Sequence, residues 1–134
     1  MQSDIKNKFD AYPAAARQRL YDIRSLIFEM AEELELGTIT EALKWGEASY
    51  CSNIGSPIRM DWKAKQPNQV SLFVHCQTQL METYKELYAD RLTFVGKREI
   101  QLPLSDPMPL VELRGCIAMA LQYHQLKHRP LLGA

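Results

Sequence analysis

Apolar residues recur at three- and four-residue intervals along the first third of the chain, at Leu20, Ile23, Ile27, Met30, Ala31 and Leu34. That spacing lines one face of an α-helix and predicts a helix from about Pro13 to Leu36. Pro13 suits a first helical position, where its missing N–H costs nothing, and Gly37 suits the left-handed residue that ends a helix. Asp4 to Asp10 predicts a short lead-in helix. Thr38-Ile39-Thr40-Glu41 has the form of a capping box and predicts a single helical turn over Glu41 to Lys44.

Beyond this point the period changes to two. Ile58, Met60, Trp62 and Ala64 alternate with Arg59, Asp61 and Lys63, so Pro57–Ala64 reads as a strand with one apolar and one charged face. Val70–Cys76 repeats the alternation, and Gln66, Pro67 and Asn68 form the turn between the two. Gln79–Ala89 returns to helical spacing with Thr78 as a cap. Lys97–Leu102 is a further strand after Gly96. The Pro103–Pro109 stretch leads into a last helix carrying Leu110, Leu113, Ile117, Ala120 and Leu121 and ending near Lys127. Trp45–Tyr50 supplies one more short strand. The predicted order is α-β-β-β-α-β-α, an α+β fold with an antiparallel sheet of about four strands and helices packed on one face. The other face is then open, presenting Arg59, Asp61, Lys63, Ser71, Phe73, His75, Lys97, Glu99 and Gln101.

Composition adds limits. A chain of 134 residues fits one domain with its own core. Sixteen Lys and Arg balance sixteen Asp and Glu, which argues against a non-specific nucleic-acid binder or a membrane-surface protein. The polar N-terminus and the lack of a long apolar run predict a soluble cytoplasmic domain. Cys51, Cys76 and Cys116 form no CxxC pair and read as reduced thiols.

No nucleophile, phosphate-loop or zinc motif is present, so neither an enzymatic reaction nor a cofactor is assigned. His124 and His128 are four apart and could share a metal, but histidines at a helix end also complement its dipole. Glu29, Glu32, Glu33 and Glu35 crowd the end of the first long helix, against the preference of the helix dipole. They read either as a solvated helix end or as a carboxylate site for a hard cation. Trp45, Ser49 and Tyr50 lie in a segment that frames either a ligand or partner surface or a pair of core anchors.

Taken together, Phe9…Tyr12-Pro13, Arg24…Leu26-Ile27, Glu41…Lys44-Trp45-Gly46…Ser49-Tyr50 and Pro107…Pro109 resemble the YdhG-like family of bacterial domains of unknown function. The resemblance spans Phe9 to Lys127. It departs at Ala48, where the family usually has proline. It implies a frataxin-like fold, and one branch of the family is linked to intracellular iron delivery. On that analogy Glu29, Glu32, Glu33 and Glu35 would be an iron-binding ridge, and Trp45 or Phe73 the aromatic on the open sheet. The leading expectation is a non-enzymatic domain that binds a small molecule or protein through Trp45, Ser49, Tyr50, Arg59, Asp61, Phe73 and His75. The iron chaperone is the alternative. The binding reading expects Phe73 and Trp45 to be exposed, and truncation of Phe73 to leave stability nearly unchanged.

Overall fold

The computed structural model describes residues 1–134. Helices α1 (Ser3–Asp10) and α2 (Ala14–Glu33) open the chain, with Pro13 as the N-cap of the second, one residue before the first helical position expected for it. Four strands follow, β1 (Thr40–Lys44), β2 (Glu47–Cys51), β3 (Ile58–Asp61) and β4 (Gln69–Phe73). Helix α3 (Leu80–Tyr88) leads to β5 (Thr93–Val95) and β6 (Glu99–Pro103). Helices α4 (Leu110–Leu121) and α5 (Tyr123–Leu126) and a short turn of 3-10 helix (Pro130–Gly133) complete the chain. No helix is long and apolar enough to cross a membrane.

All strand pairs are antiparallel, in the order β1-β2-β3-β4-β6-β5. The sheet is open and has six strands where about four were expected. One addition is β5, whose three residues are too few to show a period. The other is β1, which replaces the helical turn expected over Glu41–Lys44. Lys44 pairs with Glu47 across a two-residue turn in which Trp45 (φ 55°) and Gly46 (φ 77°) both lie in the left-handed region. That is the hairpin geometry whose twist matches the flanking strands. Glu41 does not cap a helix. It bonds Arg24 of α2 instead, Oε2 to Nε at 2.6 Å and Oε1 to Nη2 at 3.1 Å.

The register sorts the sheet into two faces. Ala48, Tyr50, Ile58, Met60, Val70, Leu72, Ile100 and Leu102 form the inner face. They share one core with Ile5 and Phe9 of α1, Leu20, Ile23 and Ile27 of α2, Leu80 and Tyr84 of α3, and Leu113 and Ile117 of α4. The outer face carries Ala42, Ser49, Arg59, Phe73 and Glu99 in one row across five strands.

The last helix stops earlier than its apolar spacing predicts. The amide of Ser56 donates to the Ala120 carbonyl at 2.9 Å, and the Ser52 hydroxyl donates to the Leu121 carbonyl. These carbonyls would otherwise accept the next helical amides. His124 N instead donates to Ile54 at 2.9 Å, so the β2–β3 loop takes over the end of α4.

Candidate functional site

The expected site residues divide between the two faces. Ser49, Arg59, Asp61 and Phe73 stand on the outer face, in register across β2, β3 and β4. Tyr50 points the other way. It is fully buried in the core, edge-on to Phe28 with centroids 6.0 Å apart. Its hydroxyl lies beside Glu41 and Arg24 without a well-formed hydrogen bond. Burial, then the Glu41 carboxylate, push it far above the usual tyrosine range, so it stays neutral. His75 is exposed beyond the end of β4, its Nδ1 accepting from the Gln77 amide at 3.0 Å.

Trp45, by contrast, is 91% exposed at the tip of the β1–β2 hairpin. Phe73 was expected beside it on the surface, but only 9% of it is exposed. Its cross-strand neighbours are Arg59 and Glu99, and Lys63 Nζ lies 5.8 Å from its ring centroid. The aliphatic stems of such side chains cover apolar surface while their charged ends stay in water. Alternation places Phe73 on the correct face, but it does not report the length of its neighbours.

Around this floor the charges are held by one another. Glu47 is bridged to Lys63 at 3.0 Å and to Arg59 at 3.5 Å. Asp61 is bridged to Lys63 at 3.4 Å and accepts from the Tyr12 hydroxyl, which reaches over from the end of α1. Burial and the Asp61 carboxylate push the Tyr12 hydroxyl well above its usual value. Burial alone would lower the Lys63 pKa, but Glu47 and Asp61 outweigh it and raise the value. Both groups therefore keep their protons. The arrangement fixes charge in place.

Two clefts flank Trp45. One, of about 420 Å³, is lined by Trp45, Glu47, Arg59, Lys63, Phe73 and Arg98. The other, of about 240 Å³, runs over Ala42, Ser49 and Cys51 and again meets Trp45 and Arg59. Glu47, Arg98 and Tyr12 were missed as site residues. The sequence places Arg98 within a strand from Lys97, on the side of Ile100 and Leu102, but β6 begins only at Glu99 and Arg98 lies in the turn before it, free of that alternation. Tyr12 arrives from another element.

The four carboxylates of the expected iron ridge disperse. Glu29 and Glu33 both accept from Arg114 of α4, Glu29 at 3.1 Å. Glu32 and Glu35 border a separate shallow cleft with Phe28 and Ile39. No three His, Cys, Asp or Glu side chains come together as a metal-holding group. The acidic end of α2 thus has a structural partner, since Arg114 supplies the cation that the helix end itself lacks. Comparisons with family models, curated proteins and solved structures found no match for this chain.

Proposed function

We propose that this chain is a binding domain whose outer sheet face receives an acidic protein surface, with Trp45 as the anchor. Trp45 carries the reading. A bulky residue in the left-handed region costs about 1–2 kcal/mol, and this hairpin is better served by Asn or Gly. An indole left 91% exposed gains nothing for the fold in return. Trp and Arg are the side chains that most often dominate partner binding, and Arg59 lines both clefts beside Trp45.

The charge of the face supports an acidic partner. Glu47 and Asp61 are already engaged by Arg59, Lys63 and Tyr12. Lys44 and Arg98 make no ion pair within the chain and remain available. The clefts are open along the face and mix polar and apolar groups, which suits a protein surface better than an enclosed small ligand. The YdhG-like, frataxin-like assignment belongs to the same proposal. It is supported by the segment Lys44–Tyr50, whose residues form this hairpin.

The test uses Trp45→Asn, which relieves the turn. Its urea midpoint should equal or exceed that of the wild type. A partner retained by the immobilised wild-type chain from its own cell extract should be lost by the variant, and should elute as salt is raised. Equal retention by the variant, or retention indifferent to salt, overturns the proposal.

A further inference from the structure

The sheet has two edges, and they differ. Strand β5 has only three residues, and so short an edge offers little to a further strand. Strand β1 has five, with no proline and an unbroken register to β2. Lys44 and Glu47 close the two-residue hairpin as a hydrogen-bonded pair. Alternation along the ladder then has Ala42 and Thr40 bond β2 as well, while Glu41 and Leu43 turn their amides and carbonyls to the free edge. A contact from another element agrees: the Glu41 carbonyl accepts from Gln2 Nε2 at 2.6 Å. Gln2 is exposed and guards that single carbonyl. The Glu41 side chain points inward, a device that ordinarily repels an added strand. Here its carboxylate is held by Arg24 of α2 at 2.6 Å and is neutralised there.

We propose that β1 receives an extended acidic segment of the partner protein as one more strand, with acidic and apolar residues alternating along it. The inference rests on the reading of the outer face as an acid-binding surface, and it supplies the partner's conformation. An extended chain is the shape whose backbone meets the amides and carbonyls of Glu41 and Leu43 at once. Its side chains then point alternately to the two faces of the sheet. On the outer side they stand beside Thr40, Ala42 and Lys44, in the cleft that continues to Trp45 and Arg59. Lys44 makes no ion pair within the chain, so an acid arriving there finds a cation without displacing another. On the inner side the added residues stand beside Leu43, which is only partly buried and suits an apolar neighbour. A second copy of the chain fits the edge less well. Thr40, Ala42 and Lys44 are the outer residues of its own β1, and they bring no acid to Lys44.

The test titrates the isotope-labelled full chain with a capped peptide of alternating Glu and Val, about eight residues long. Saturable shifts and slowed amide exchange are expected at Glu41 and Leu43. With glutamates on the outer side, the valine amides face β1. N-methylation of the valines keeps every charge and should weaken binding at least about tenfold. A Lys-Val peptide should not bind. Lys44→Gln, an exposed change, should weaken the Glu-Val peptide a few-fold and flatten its salt dependence. Gln2→Ala uncovers the Glu41 carbonyl and should tighten binding about two- to tenfold. A peptide that shifts Trp45 and Lys44, leaves Leu43 unprotected and binds as well when N-methylated overturns strand addition while leaving the acid-binding face standing. The absence of any shift overturns strand addition too, and retention by Trp45→Asn decides the face separately. Equal binding of the Lys-Val peptide overturns the acidic segment. Protection of Leu43 that needs no peptide and rises with protein concentration gives the edge to a second copy, which overturns the proposal as well.

Discussion

Phe73 and Trp45 sit within one cleft yet play opposite parts, and the difference is cover. Phe73 lies on the outer sheet face with Arg59 as its cross-strand neighbour and Lys63 Nζ 5.8 Å from its ring centroid, whereas Trp45 stands at a turn with no strand beyond it. Phe73 therefore contributes to stability although it lies outside the main core. Truncation of Phe73 to alanine should cost about 3 kcal/mol, the low end for buried Phe deletions, because its cover is made of mobile charged chains. Urea denaturation measures this, and a loss below about 1 kcal/mol would return Phe73 to the surface. The identity of both residues and the face of Phe73 were legible in the sequence. Their exposure was not, because exposure depends on neighbours contributed by other strands. Tyr50 makes the same point in reverse. It belongs to the segment singled out with Trp45, but five residues on it falls on the inner face and packs on Phe28.

At the scale of elements, the junction between the β2–β3 loop and α4 governs where the last helix ends. A side chain at Gly55 would place its Cβ 2.7 Å from the Leu121 carbonyl oxygen and 2.9 Å from that of Ala120. Only glycine allows the loop backbone this close, and the closeness lets Ser52 and Ser56 reach the helix carbonyls. Gly55→Ala should destabilise the chain by about 1–3 kcal/mol, with Leu121 to His124 losing hydrogen-exchange protection first. A variant as stable as the wild type would mean the loop is not seated on the helix. The apolar stripe of α4 and the alternation of β3 and β4 announced those elements. Nothing local announced the break at Gln122, because the groups that cause it lie some 70 residues earlier. In β1, the reading of Thr38–Glu41 as a capping box lost to a turn with two left-handed residues and to the pull of Arg24 on Glu41. Local capping stabilises by about 1 kcal/mol, which a hairpin with a partly buried, doubly hydrogen-bonded ion pair behind it can offset.

For the molecule as a whole, the Arg24–Glu41 pair ties α2 to the edge strand β1, and it makes stability depend on acidity. Burial would raise the Glu41 pKa, but the hydrogen bonds and charge of Arg24 outweigh it and hold the carboxyl below its usual value. A carboxyl depressed in the folded state stabilises fully above its unfolded pKa of about 4.3, and loses that contribution as pH falls through the folded value. The urea midpoint of the wild type should thus exceed that of Glu41→Gln at about pH 6, and the gap should narrow towards about pH 3. A gap independent of pH would show that the pair does not titrate with folding. The sequence by itself determined the α+β class, the long first helix, the period-two strands and the faces of Arg59, Asp61, Ser71 and Phe73. Such features follow from periods of 3.6 and 2 within one segment, which the chain carries locally. Only the tertiary structure decided the six-strand order, the canopy over Phe73, the pairing of Glu29 and Glu33 with Arg114, and the exposure of Trp45. Each of these depends on which distant side chain arrives at a given place, and packing and charge pairing across elements decide that once the sheet has formed.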